Sequence, residues 1–208
     1  MVAFRPALGS RRAAKWLIAV LIAGIQSLAL GDEPAQPPAL KKWSVAFGYA
    51  GSIVHSDVPR NGEYRLNLDG LGALGRFDLH RRGNWNWGIQ LGYSAKDAGT
   101  GSGGKFSLAQ TDLHAYYAWE HVMENSLRVR FYPKVGVSRT DFEETVPSTG
   151  TFSDAAFGPS FGLGVEWGQL RWGLLFDVHW TFVDAELIPG QKESLGVSAG
   201  FIGLAFCF

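Results

Sequence analysis

The side chains of this 208-residue chain that could do chemistry are five histidines, one cysteine and a set of charged residues spaced two apart. A histidine two residues from a serine on one strand would share its face and could activate it as a hydrolytic nucleophile. His55, His80, His114, His121 and His179 are followed at that spacing by Asp57, Arg82, Tyr116, Met123 and Thr181, so none supplies the pair. His55-Ser56-Asp57 holds the right residue types, but consecutive residues point apart and do not converge on one atom; the triplet reads as a solvated loop. Histidine pairs at metal-ligand spacing are absent, and the single Cys207 can form neither an intrachain disulfide nor a cysteine-based zinc cluster. The run Gly101 to Gly104 (GSGG) lacks a Lys-Ser/Thr pair and a following helix, so it is a flexible loop, not a phosphate cradle. These residues imply no catalytic set, no metal and no cofactor.

The charged residues are more organised. Arg76, Asp78, Asp112, Glu120, Arg128, Arg130, Lys134, Glu166, Arg171 and Asp177 fall, with His114 and His179, opposite the large apolar residues of their segments. Five acids meet five bases, and charges that are buried persist only when paired. The set reads as a salt-bridged network filling an interior, with Tyr116 and Tyr132 on the same face. A narrow or gated pore is the alternative, and catalysis within the interior a third.

What positions these charges is alternation, the side-chain period of a strand. Trp85, Trp87, Ile89, Leu91 and Tyr93 alternate with Asn86, Gly88, Gln90, Gly92 and Ser94. Phe157, Phe161, Leu163, Val165 and Trp167 alternate with glycine, serine and Glu166, and Trp172 to Phe182 repeats the pattern. Trp43 to Ala50, Leu71 to Leu79, Leu113 to Trp119, Leu127 to Val137 and a last segment carrying Ile202, Leu204, Phe206 and Phe208 complete a set of eight. Segments of about ten residues are the length of a tilted membrane strand. An eight-stranded barrel has room inside only for side chains. The large residues would overfill it if turned inward; turned out to lipid they fit, and the small and charged face fills the middle. The fold class predicted is an all-β, eight-stranded antiparallel up-and-down transmembrane barrel over residues 43–208.

Connection lengths agree. The gaps Ile53 to Glu63, Ala95 to Lys105, Arg139 to Asp154 and Asp184 to Glu193 are long, whereas those at His80 to Asn84, Glu120 to Ser126 and Gly168-Gln169 are short. Long external loops and short periplasmic turns alternate in this way in outer-membrane barrels. Trp43, Trp85, Trp87, Trp119, Trp167 and Trp172 all fall at the short-turn ends, as an interfacial aromatic girdle requires, and only Trp180 lies toward the other end. Pro133 and Pro159 break the pattern, since each removes a ladder hydrogen bond, and a bulge or local water is expected at each. Tyr64, Leu66 and Leu68 are out of phase with Leu71, Ala73 and Phe77, which predicts a bulge near Asp69-Gly70.

The first 31 residues read as a secretory signal: bases up to Lys15, an apolar run from Trp16 to Leu30, and small Ala29 and Gly31 before a cut at Asp32. The proline-containing stretch 32–42 is a short flexible periplasmic leader. Removing the signal leaves 15 bases against 19 acids, a net charge of −4 without a basic stripe, which excludes a nucleic-acid partner. Asp141, Glu143, Glu144 and Asp154 make one long loop acidic; the reading is a solvated loop, with divalent cations or lipopolysaccharide sugars held through them as the alternative.

Gly203-Leu-Ala-Phe-Cys-Phe208, ending on an aromatic with apolar residues at alternate positions, resembles the terminal strand of outer-membrane barrels. Gly158 to Trp167 resembles the glycine-rich sixth strand of small barrels of the OmpA/OmpX type. The resemblance implies a cell outer-membrane location, reading of Phe206 and Phe208 by the barrel-insertion machinery, and contact with outer-membrane lipid and lipopolysaccharide. It further implies a structural or surface-interaction role with ligands taken by the loops, and no shared active site. A lipid A deacylase or acyltransferase, both found on eight-stranded barrels, is the enzymatic alternative.

Overall fold

The computed structural model describes residues 43–60, 63–99, 103–123, 126–148, 150–188 and 191–208; the expected signal segment and leader (1–42) lie outside them. Eight strands follow one another: β1 (Trp43–Arg60), β2 (Glu63–Arg82), β3 (Trp85–Gly99), β4 (Lys105–Val122), β5 (Leu127–Val146), β6 (Gly150–Gln169), β7 (Trp172–Ile188) and β8 (Gln191–Cys207). Each pairs antiparallel with the next, and β8 returns to β1 from Ser44↔Cys207 to Ser56↔Leu195, closing the barrel. Closure removes the sheet edges wherever neighbouring strands pair.

The pleat sorts the side chains. Along β3, Trp85, Trp87, Ile89 and Leu91 are exposed while Asn86, Gly88, Gln90 and Gly92 are buried. Over this short-turn half the exterior is apolar and the interior largely polar, the inverse of a water-soluble barrel. Two interior glycines are required by close approach: a Cβ on Gly164 would lie 2.1 Å from Tyr132 Cζ, and one on Gly88 2.5 Å from the Tyr116 hydroxyl. The two inward tyrosines fit because the strands opposite them carry no side chain there.

The strands are longer than the sequence pattern predicts, 15 to 20 residues against about ten. Much of the expected loop at 53–63, 95–105, 139–154 and 184–193 continues the ladder instead. The reason is a swap of polarity at constant phase. On β4, Leu113, Tyr117 and Trp119 point outward near the short-turn end, yet further along the apolar Phe106 and Leu108 point inward while Lys105 is exposed. On β2, Leu68 is buried and Leu71 exposed. The predicted bulge at Asp69-Gly70 is therefore absent: pairing runs unbroken through Gly51↔Asp69 and Ala50↔Gly70, and the leucines change faces because the chain has left the apolar zone.

The ladder is irregular elsewhere. Opposite Pro133 and Tyr132 the β4–β5 pairing skips Tyr117 and Ala118 without a change of register. The β6–β7 pairing stops at Ser160↔Thr181, next to Pro159, although both strands continue. Both interruptions fall where proline has no N–H to give. Between β2 and β3 the register shifts by one, Asp78↔Gly88 being followed by His80↔Trp87, so Leu79 is an extra residue. A bulge of this kind re-aims the side chains that follow it.

Candidate functional site

The barrel interior gathers the charges that alternation placed there. Nearest the short-turn end, the Glu166 carboxylate is fully buried and binds both the Arg76 and the Arg128 guanidinium. Arg76 Nε also donates to Ser44 Oγ at 3.0 Å, and Arg128 Nη2 lies 2.8 Å from Cys207 Sγ. Beside them Arg130 grips Asp78 through two nitrogens, at 2.5 and 3.2 Å, with Glu120 at 3.7 Å. Asn86 donates to both carboxylates, and the Tyr116 hydroxyl donates to Asp78. Arg130 and Arg76 lie over the rings of Tyr116 and Tyr132, at 5.1 and 5.2 Å.

Above this, Lys134 Nζ is 2.5 Å from Asp177, which also accepts from Tyr132 and Gln90 at 3.0 and 3.3 Å. His179 sits between Asp112 at 3.4 Å and Asp177 at 3.6 Å, and its ring lies 5.5 Å from that of His114. Charge-assisted contacts of this density fix side-chain geometry, since each buried ion requires its partners.

Of the residues expected in this network, Arg76, Asp112, His114, Arg128, Arg130, Lys134, Glu166, Asp177 and His179 are buried within the barrel. Arg171 is not. It lies in the bend between β6 and β7 and is exposed, because the β7 phase that would turn it inward begins only at the next residue, Trp172; its backbone carbonyl accepts from Cys207 N. The sequence reading missed Lys96, buried with Ser52 Oγ at 2.5 Å and Gln110 Oε1 at 3.3 Å. Carrying the Gln90, Gly92, Ser94 phase one step past the supposed strand end would have found it.

Beyond Lys96 the filling becomes apolar. Val54, Leu68, Phe106, Leu108, Phe142, Val183, Leu195 and Val197 form one buried cluster, with the rings of Phe106 and Phe142 6.1 Å apart. Ion pairs packed among Leu74, Leu175, Phe201 and the two tyrosines thus fill the short-turn half, and the long-hairpin half is mostly hydrocarbon, with Glu193 buried beside Ser56.

His114 Nε2 lies 2.8 Å from Ser160 Oγ, a histidine–serine pair formed across β4 and β6 that spacing along one strand cannot reveal. Both residues are buried, His114 Nδ1 has no hydrogen-bond partner, and Ser160 also accepts from Thr181 at 3.2 Å. Among the described residues no acid stands on Nδ1, so the pair lacks the third member of a hydrolytic triad. His55 and Ser56 fall on opposite faces of β1, and Ser56 Oγ donates to Glu193 at 2.7 Å; the Asp57 side chain lies outside those described. Trp43, Trp85, Trp87, Trp119, Trp167 and Trp172 all stand outward at the short-turn end, and Phe206 stands outward on β8. A groove of about 580 Å³ is lined by β1, β2, β7 and β8, with outward Tyr49 and Trp180 and inward Ser52, Asp177 and His179 among its residues.

Among solved structures, this geometry matches the outer-membrane protein OprG from Pseudomonas aeruginosa, with a TM-score of 0.55 at 15% identity over 81% of this chain and 96% of that one. It matches Neisserial surface protein A with a TM-score of 0.53 at 10% identity over 80% and 97% of the two chains. It matches the outer-membrane protein AlkL with a TM-score of 0.52 at 18% identity over 86% and 96%. The chain has the fold of the small outer-membrane β-barrels. By sequence it matches no protein-family model and no curated protein.

Proposed function

We propose that this protein is a closed outer-membrane barrel that presents its long hairpins at the cell surface and does not conduct. The observation that carries the reading is the two-layered interior: an apolar cluster around Phe106, Leu108, Phe142 and Leu195 above a paired charge network around Glu166 and Asp177. A pore needs a continuous wet path, and both layers oppose one: hydrocarbon excludes ions, and buried ion pairs hold their side chains in place. The polar outer faces of the extended hairpins, Asp141 and Glu143 on β5 and Asp184 and Glu186 on β7, are the surface available to a ligand. That one structure of this fold is a Neisserial surface protein supports such a role.

Within this reading the tryptophans at the short-turn end anchor the barrel in the periplasmic headgroup layer, Phe206 and Phe208 are read during insertion, and lipopolysaccharide surrounds the opposite end. Purified protein in planar bilayers will stay silent under voltage; discrete openings of reproducible size would overturn the closed-barrel reading. Lipid A from cells making the protein will keep its mass, and a changed acyl pattern would replace this reading with an enzymatic one.

A further inference from the structure

We propose that the short-turn rim of β2–β4 is a binding site for the headgroup of an anionic phospholipid. The bulge at Leu79 creates it. Without the extra residue, the phase that puts Arg76 and Asp78 inside would carry His80 and Arg82 inside as well. With it, both are exposed and pair across the ladder with Trp87 and Trp85. Arg81 takes the inward direction instead and reaches Glu120 at 3.3 Å.

The re-aimed residues join a face already built from rings. Trp85 stacks on Tyr117 with centroids 5.1 Å apart, and Trp119 stacks on His121 at 5.8 Å with planes only 5° apart. Trp85 pairs with Trp119, and Trp87 with Tyr117, so the four rings form one contiguous patch bordered by Arg82, His80 and His121. Among the described residues no acid is exposed on this part of the rim: Asp78 and Glu120 face inward and are engaged by Arg130. The hairpin is held tight by Gly83, whose φ of +59° is a left-handed conformation suited to glycine, and by the bond from Glu120 N to Asn84 O.

This combination matches a phospholipid at the interface. Indole and phenol rings lodge at headgroup depth, a guanidinium takes phosphate oxygens through paired N–H donors, and an exposed cation such as Arg82 favours an anionic over a zwitterionic lipid. The short-turn end faces the periplasm in this fold, so the lipid is one of the inner leaflet.

The test uses the full protein refolded into vesicles of phosphatidylcholine mixed with phosphatidylglycerol, then extracted in mild detergent with its retained lipids measured. The wild type will retain phosphatidylglycerol above its share in the vesicle. Arg82→Gln will cut that enrichment about five-fold, the effect of one cation at a membrane surface. His80→Gln with His121→Gln will reduce it further while heat-modifiable migration is kept. Arg65→Gln, an exposed arginine on β2 toward the other end, will leave the enrichment unchanged. No enrichment in the wild type would overturn the proposal, as would equal losses in the Arg65 and Arg82 variants, which would report net charge alone. Displacement of the lipid by inorganic phosphate would also overturn it, since the site would then take a free anion without needing the rings.

Discussion

Replacing Glu166 by Gln removes the one carboxylate that two buried guanidiniums share. Arg76 and Arg128 each contact it, all three side chains are nearly fully buried, and Arg76 Nη1 and Arg128 Nε have no hydrogen-bond partner even in the intact protein. Breaking a buried pair by deleting one partner costs about 3–5 kcal/mol, and a carboxylate serving two cations belongs at the upper end. Against a typical stability of about 5–15 kcal/mol, such a loss is decisive. Urea titration in vesicles, followed by tryptophan fluorescence and heat-modifiable migration, will place E166Q about 4 kcal/mol below the wild type. The triple replacement Glu166→Leu, Arg76→Met and Arg128→Met, which removes the charges together, will recover most of that loss, because hydrocarbon of similar volume replaces a buried ion cluster at little cost. An E166Q loss under about 1 kcal/mol would refute the reasoning: it would mean that water reaches and solvates the arginines, as only an open lumen allows.

Gly164→Val will drive a side chain into the Tyr132 ring and cost about 1–3 kcal/mol by the same titration, and adding Tyr132→Ala will relieve the overlap. In the apolar layer, Phe106→Ala will cost about 3–5 kcal/mol, yet in planar bilayers it will stay silent, because the charge network beneath still closes the interior. Arg171→Ala will change stability by less than about 0.5 kcal/mol, since the residue is exposed and outside the charge network, whereas Lys134→Ala will cost several-fold more by leaving Asp177 without its cation.

Much of the membrane half was legible in the chain. The alternation of Trp85 to Tyr93 sets strand and face together, and carrying its phase to Arg76, Arg130, Glu166 and Asp177 finds the interior charges because period two leaves no other choice of side. Arg171 failed for the same rule applied one residue past a strand end. The long-hairpin half was not legible, because its strands keep phase while inner and outer polarity exchange, as at Leu68 and Leu71 or Phe106 and Leu113. A reading that follows apolar residues sees a bulge or a loop there. The His114–Ser160 contact was invisible because it depends on the register of β4, β5 and β6 together. The real bulge at Leu79 left no signature beyond one leucine among polar neighbours.

The exchange of faces along each strand is the claim on which the barrel, its closed interior and its surface role all depend. Spin labels placed one at a time in a Cys207→Ser background can measure it through collisions with oxygen, which concentrates in lipid, and with a water-soluble nickel complex. Labels at Leu91, Leu113, Val135 and Phe176 should collide mainly with oxygen, those at Asp97, Asp141 and Asp184 mainly with nickel, and those at Phe106 and Leu108 with neither. Strong nickel collisions at Leu113 and Val135, or at Phe106, would contradict the account: the first would take the barrel out of the membrane, and the second would open its interior to water.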